Sequence, residues 1–203
     1  MIVCHTSGSP TKFRLDTQTE VPVVRLSNTR CRHTAYFYSD DSHLLDNVSQ
    51  FAGSVLRRGG HAIVIATEAH RERFLLRLQM RGLNMNAAIQ NRRYTALDAS
   101  DALGQFMVNG LPDRTRFFQL LDDLLSAARE AGRRVVLFGE CADMLWTRGN
   151  QEGAFQLEKL GNQMITAYNV DLLCGYSLGG FQLGAGRPAF EKICAEHSAY
   201  DSH

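Results

Sequence analysis

The size and charge of the chain indicate one ordinary globular domain. It has 203 residues, of which 44% are hydrophobic and 21% are charged, and its formal net charge is +1. That length is sufficient for one substantial core, and the near-neutral charge gives no electrostatic reason to expect nucleic acid or an anionic membrane surface as a partner. No run approaches the roughly 18 apolar residues that a membrane span needs.

The N-terminus and the cysteines favour a cytoplasmic protein. The first residues, MIVCHTSGSP, lack the basic and apolar segments of a secretory signal. The cysteines are odd in number and widely spaced, and none of them pairs with the spacing of zinc ligands. We therefore expect reduced thiols, no disulfide framework, no metal site and no cofactor. The five are Cys4, Cys31, Cys141, Cys174 and Cys194.

The chain is predicted to divide into an N-terminal arm and one domain. Residues 1–30 show no sustained periodicity, and 21–26 (VPVVRL) suit at most an edge strand because of their proline. Residues 31–200 are predicted to form the domain. It begins at 33–60 with an apolar run, a polar turn, a helix with apolar residues every three or four positions, and two glycines. An apolar strand at 61–66 follows, and this order is typical of the start of a parallel α/β sheet.

The remaining segments continue the alternation of strands and helices. We predict strands at 94–97, 134–138 and 170–174, helices at 68–80, 101–108, 114–131, 142–146, 152–168 and 188–197, and a turn at 109–113. Five strands that alternate with helices predict a three-layer α/β/α domain with a mainly parallel central sheet.

The segment GYSLGG at 175–180 matches the nucleophile elbow of serine hydrolases, with Ser177 as the nucleophile. An elbow needs a helix directly after the serine, whereas glycines and a proline follow here. The rest of the chain offers His197, Asp201 and His203, in the reverse of the usual acid-then-histidine order and near a terminus. A glycine-rich hairpin or loop is therefore favoured, and the hydrolase is kept as an alternative.

The turn SDDS at 39–42 lies where nucleotide-binding α/β folds hold phosphate. It has no lysine, and Asp40 and Asp41 would repel phosphate by about 1 kcal/mol or more for each close charge pair. Glu140 follows a predicted central strand, at a position where NTPases of this topology carry an acid. A relic nucleotide-binding domain is thus the second alternative.

Aromatic and polar side chains occur at several predicted C-terminal strand ends, the edge at which open α/β sheets bind ligands. Taken singly, Tyr36 and Trp146 suit core packing and Asp98 suits a helix cap. Taken together, such residues would line a crevice for a small, partly apolar ligand. The predicted site is Tyr36, Tyr38, Asp40, Asp41, Glu68, His70, Glu140, Trp146 and Tyr176.

Several stretches together resemble the MEDS family (methanogen/methylotroph, DcmR sensory domain). They are HTAYFYSDDSHLLDNVSQF, GGHAIVIATEAHRERF, LDASDALGQFMVNGLPDRTRF, RRVVLFGECADMLWTRGNQEGAFQLEKLGNQ, DLLCGYSLGGF and FEKICAEHSAY, and they span about residues 33–200. The resemblance implies a RecA/KaiC-like core without the phosphate-binding lysine. It also implies a non-catalytic sensory module, found beside histidine kinase or DNA-binding domains, whose ligands are small hydrocarbon derivatives. GYSLGG is richer in glycine than this family leads us to expect, so the rim of the site would differ here.

We therefore expect a cytoplasmic signal-input domain and not an enzyme. It would bind a small apolar ligand or a signalling partner at the C-terminal edge of its sheet and regulate a histidine kinase or a response or transcription regulator. Self-association is left open. Signalling requires different affinities for two states, typically by about 1–3 kcal/mol.

Overall fold

Five parallel strands form the central sheet, in the order β1-β7-β6-β2-β3. The structure is a computed structural model that describes residues 32–179 and 186–197, so the predicted arm with its edge strand, and Asp201 and His203, lie outside it. The predicted five-stranded sheet is confirmed. Its strands are β1 (His33–Tyr38), β2 (His61–Ala66), β3 (Tyr94–Asp98), β6 (Val135–Gly139) and β7 (Val170–Ser177).

Helices cover both faces of the sheet and complete the predicted three layers. Strand residues point alternately to the two faces, so that Phe37 joins one core and Tyr38 the other. On the Tyr38 face lie α1 (Asp41–Arg57), α2 (Glu68–Met80) and α3 (Met85–Gln90). On the Phe37 face lie α4 (Ala99–Phe106), α5 (Arg114–Glu130), α6 (Cys141–Thr147), α7 (Gln151–Tyr168) and α8 (Gly186–Glu196). Within the described residues, no helix has both the length and the apolar character needed to cross a membrane.

Three local predictions differ from the structure. The short helix α3 was not predicted; Asn84 caps it by accepting a hydrogen bond from the backbone N of Ala87 at 3.0 Å. The helix predicted at 101–108 ends at Phe106 because the next residues pair as β4 (Met107–Val108) with β5 (Leu111–Pro112). The two residues between them, 109 and 110, have φ of 51° and 82°, which suits the Asn-Gly turn of a tight hairpin. Strand β7 runs three residues beyond the predicted end, to Ser177.

The expectation that every cysteine is reduced is wrong at one position. Cys141 and Cys174 are free, buried thiols, whereas Cys194 is disulfide-bonded. An odd number of cysteines still leaves room for a pair, and wide spacing in the chain does not prevent two cysteines from meeting in the fold.

Asp171 ties three strands together at the N-terminal edge of the sheet. The side chain is 3% exposed and accepts hydrogen bonds from Arg134 Nη2 at 2.7 Å and from the backbone N of Arg32 at 3.1 Å. We expect Asp171→Ala to lower the free energy of unfolding by about 2–4 kcal/mol, because it removes a buried charged acceptor from several donors. Urea denaturation measures this.

The control is Asp122→Ala, which breaks an ion pair with Arg129 in which both side chains are more than half exposed. We expect this change to cost less than about 1 kcal/mol. Equal costs for the two variants would contradict the role assigned to Asp171.

Candidate functional site

A hydrogen-bonded network centred on Glu140 joins the C-terminal ends of β2 and β6 to helices α1 and α2. Glu140 is 2% exposed, its Oε2 accepts a hydrogen bond from the backbone N of Thr67 at 2.9 Å, and its Oε1 is hydrogen-bonded to Nδ1 of His70. Nε2 of His70 lies 3.3 Å from Oδ2 of Asp41, which also accepts a hydrogen bond from Arg73 Nη1 at 2.8 Å. We call Glu140, Thr67, His70, Asp41 and Arg73 the tip network.

Glu140 acts as a remote cap of helix α2. It occupies the N-cap position of α6 but makes no cap hydrogen bond there, and within the described residues the side chain of Thr67 makes none for α2. The carboxylate of Glu140 instead binds the amide at the start of α2, as the glutamate of a capping box does within one helix. Its negative charge also suits the positive end of the α2 dipole. The start of α2 is therefore fixed by the residue that precedes α6.

Three further observations describe the electrostatics around the tip network. Hydrogen bonding to Glu140 is the main cause that raises the pKa of His70 above its ordinary value. Burial raises the pKa of Tyr38, and nearby carboxylates, first that of Glu140, add to the effect, so its phenol stays neutral. Burial also raises the pKa of Asp143 to about 7, although its Oδ1 accepts a hydrogen bond from the backbone N of Ser177 at 3.2 Å. Carboxyl, imidazole and phenol groups are thus packed together in a largely buried environment.

The structure brings four of the predicted site residues together: Tyr38, Asp41, His70 and Glu140. The ring of Tyr38 meets that of His70 edge-on, with centroids 6.4 Å apart. Sequence reasoning missed Asp143, whose signal was its place on the first turn of the helix that follows β6.

The other predicted site residues lie apart from this group. Asp40 is exposed, Glu68 is exposed at the start of α2, and the hydroxyl of Tyr36 accepts a hydrogen bond from Asn47 at 2.8 Å. Trp146 is 3% exposed and packs against Phe155. Tyr176 is fully buried and its hydroxyl donates to Glu158. Asp98, which is not part of the predicted site, caps α4 as its sequence position suggested, and it pairs with Arg71 at 3.1 Å.

The structure also describes the turn that was considered for phosphate binding and part of the segment that was considered for serine-hydrolase chemistry. The carboxylate of Asp40 accepts a hydrogen bond from the backbone N of Ser42 at 2.6 Å, so an acidic side chain occupies the N-terminus of α1 where a phosphate would lie. In GYSLGG, the first three residues belong to β7 and Gly179 is already helical, so the favoured hairpin or loop is wrong at these positions. His197 faces Glu158, with 3.2 Å between Nε2 and Oε2.

An apolar cavity of about 60 Å³ lies between the sheet and helices α4 to α7. Ile65, Gly139 and Cys141 line it, and the last two are the chain neighbours of Glu140. Its further lining residues are Phe106, Phe117, Leu120, Leu121, Leu137, Ala142, Leu157, Glu158, Gly161, Met164, Leu172 and Cys174. The cavity therefore reaches the backbone that carries the tip network.

Comparison with known proteins identifies one related family and no similar curated protein. The model of one family, described as MEDS, MEthanogen/methylotroph, DcmR Sensory domain, matches residues 32–187, which is most of the chain. The chain therefore belongs to the MEDS family of sensory domains.

Proposed function

We propose that this chain is a non-catalytic signal-input domain that binds a small apolar molecule in its cavity and transmits the binding through the tip network. One observation carries the proposal: the cavity wall includes both chain neighbours of Glu140. Membership in a family of sensory domains supports the input role. The proposed output is the regulation of a histidine kinase or of a response or transcription regulator.

The lining of the cavity supports a small apolar ligand. Its walls are almost entirely hydrocarbon, and their polar side chains are Glu158 and the thiols of Cys141 and Cys174. A cavity of about 150 Å³ holds benzene, so the present cavity suits a molecule of about two to four non-hydrogen atoms. Burial of such a molecule would be favoured by the same transfer free energy that stabilises the core.

The contacts of Glu140 suggest how binding would be transmitted. A molecule in the cavity would press on Gly139 and Cys141 and shift the start of α6. Glu140 would move with them, and its hydrogen bonds to Thr67 and His70 would pass the shift to α2 and α1. Packed helices respond to such shifts by changing between discrete arrangements, which is the usual basis of a switch. The partner would then contact the exposed surface near Asp41 and Glu68.

A cytoplasmic location is part of the proposal. The two free thiols, Cys141 and Cys174, support it.

Filling the cavity should abolish ligand binding. Ala142 is 6% exposed and lines the cavity, so Ala142→Leu would place three extra carbons in it. We expect short-chain alcohols and chloroalkanes to raise the Tm of the natural protein with concentration, by mass action, and to leave the Tm of Ala142→Leu unchanged. Differential scanning fluorimetry measures this.

Ala167→Leu is the matched control, because it adds the same atoms at an exposed position of α7 and should respond as the natural protein does. An equal rise of Tm in Ala142→Leu would place the ligand elsewhere. The same compounds should alter amide exchange at Thr67. A rise of Tm without that alteration would contradict the proposed transmission.

A further inference from the structure

Four potential metal ligands converge in the core, away from the tip network. They are Nε2 of His33 and of His197, Oε2 of Glu158 and Sγ of Cys174, and all lie within 4.8 Å of one another. They come from β1, the end of α8, α7 and β7. His33 is fully buried, and the side chains of Glu158 and His197 are 1% and 3% exposed. We call these four residues the buried cluster.

Four of the six separations within the buried cluster are close to those between the ligands of a tetrahedral metal site. Nε2 of His33 is 2.9 Å from Oε2 of Glu158 and 3.4 Å from Sγ of Cys174. Oε2 of Glu158 is 3.6 Å from Sγ of Cys174 and 3.2 Å from Nε2 of His197. Metal–ligand bonds of about 2.0–2.3 Å in a tetrahedron place the ligand atoms roughly 3.3–3.8 Å apart. The other two separations, from Nε2 of His197 to the ligand atoms of His33 and Cys174, are at most 4.8 Å. An inward movement of the His197 ring by up to about 1–1.5 Å would complete a tetrahedron.

The second ring nitrogen of each histidine is already occupied. Nδ1 of His33 lies 3.0 Å from Oδ1 of Asn162, whose amide donates to the backbone O of Glu196 at 2.8 Å, so the amide oxygen is held toward the ring. Nδ1 of His197 lies 2.6 Å from the backbone O of Ile193. These acceptors keep a proton on each Nδ1 and leave each Nε2 lone pair for a metal, as the outer partners of metal-binding histidines do.

Nε2 of His197 is a buried polar atom whose hydrogen bonding is incomplete among the described residues. Among the described residues it has no hydrogen-bond partner of acceptable geometry, although it points at the carboxylate of Glu158. A lone pair on this nitrogen would face an anionic oxygen, which is unfavourable in a buried site, so the position requires either a proton or a bound cation. The remaining oxygen of Glu158 is engaged separately, because Tyr176 donates its hydroxyl to Oε1.

Helix α7 approaches the cluster closely because residue 161 is glycine. A Cβ at Gly161 would lie 3.1 Å from Cε1 and 3.2 Å from Nε2 of His33. Any larger residue would press on the ring that carries the proposed ligand atom. Gly161 therefore leaves the space in which the imidazole of His33 can face Glu158.

We propose that His33, Glu158, Cys174 and His197 bind one Zn²⁺ ion. A thiolate, two imidazoles and a carboxylate are the ligands that Zn²⁺ takes in proteins, and the thiolate disfavours Mg²⁺ and Ca²⁺. The charges of Cys174 and Glu158 would balance that of the ion, which suits an apolar interior. The ion would fasten α7 and α8 to β1 and β7. Glu158 and Cys174 also line the apolar cavity, but metal binding can be tested without any apolar ligand, so the two proposals can fail separately.

The test uses the full chain without an affinity tag, treated with a chelator under reducing conditions and then titrated with Zn²⁺ or Co²⁺. We expect one metal ion per chain by elemental mass spectrometry, a rise of Tm, and, with Co²⁺, the d–d bands of a tetrahedral site with a thiolate-to-metal charge-transfer band. Cys174→Ser should lose that charge-transfer band. His197→Ala, at the end of α8, should weaken binding by more than about tenfold.

His43→Ala is the control, since His43 is exposed on α1, and it should bind as the natural protein does. Circular dichroism of each variant confirms that it is folded. The proposal is overturned by a folded natural protein that binds no metal stoichiometrically, by a cobalt complex without the charge-transfer band, or by His197→Ala binding that equals that of His43→Ala. In those cases the cluster would be a hydrogen-bonded network whose charge is balanced by an imidazolium.

Discussion

Replacing Glu158 with alanine is expected to lower the free energy of unfolding by about 3–5 kcal/mol, the range for removal of one partner from a buried ionic group. The side chain lies on α7 and is 1% exposed. It is the common acceptor or ion-pair partner of Tyr176, His33 and His197, which belong to β7, β1 and the end of α8. Loss of the carboxylate would leave Tyr176, His33 and His197 in the core without their shared anionic partner. It would also open a cavity.

A variant on the same helix separates this effect from general changes to α7. Glu152 is exposed in the first turn of α7, and Glu152→Ala should cost only about 0.3–1 kcal/mol through the helix dipole. Glu158→Gln should fall between the two, because the amide keeps an oxygen for the hydroxyl of Tyr176 but has no charge for the histidines. Urea denaturation at neutral pH in a chelator measures all three variants in the metal-free state. A cost for Glu158→Ala as small as that for Glu152→Ala would show that the buried cluster does not hold these elements together.

Much of the fold follows from local patterns that the sequence displays directly. The run at 61–66 is apolar throughout, and β2 is buried throughout, as expected of a central parallel strand. The periodic helices at the start and middle of the chain correspond to α1 and α5. These predictions succeed because burial of one helix face, or of both strand faces, dictates which positions are apolar.

The end of β7 could not be predicted in this way. Gly175 resembles the first residue of a turn, but it lies in the strand beneath Phe138, where a Cβ would be 3.0 Å from the ring. Glycine serves there for close packing and not for a turn. Because the strand continues, Tyr176 points into the α4–α8 side of the core, whereas Tyr38 points to the α1–α3 side.

The tip network and the buried cluster differ in how far the sequence alone predicts them. The tip network was partly predictable, because Tyr38, Asp41, His70 and Glu140 each follow or end a strand, and parallel strands end at one edge. The buried cluster was not, because His33, Glu158, Cys174 and His197 are distant in the chain and share no spacing motif. Only the order of the strands and the packing of α7 and α8 bring the four together.

Asp143→Asn is expected to stabilise the protein at pH 8 by about 2–4 kcal/mol. Asp143 is 9% exposed, and burial raises the pKa of its carboxyl from 3.8 to about 7. The folded state thus holds a proton that the unfolded state releases, so stability falls as the pH rises from about 4 to about 7, by at most about 4 kcal/mol. Asparagine keeps an oxygen for the backbone N of Ser177 and never acquires the buried charge.

The expected signature is a difference that depends on pH. The two proteins should be similar near pH 4, and the advantage of Asp143→Asn should grow up to pH 7 and then stay constant. Besides the carboxylate of Glu140, the titratable groups that face Asp143 are His70, Tyr38 and Tyr176. The pKa of His70 is raised, chiefly by its hydrogen bond to Glu140, so its own contribution is present below its ordinary value of 6.5 and is lost as the pH rises through the folded value.

Both contributions reduce stability as the pH rises, and the variant separates them. Asp143→Asn should retain only the loss that comes from His70, so its decline between pH 4 and pH 8 should be shallower than that of the natural protein. Urea midpoints measured at half-unit steps of pH give the two curves. Parallel curves would mean that the pKa of Asp143 is close to its ordinary value in the folded state. The burial assigned to the Asp143 carboxyl beside β7 would then be wrong. A widening gap would instead show that burial holds the pKa of the Asp143 carboxyl well above its ordinary value in the folded state.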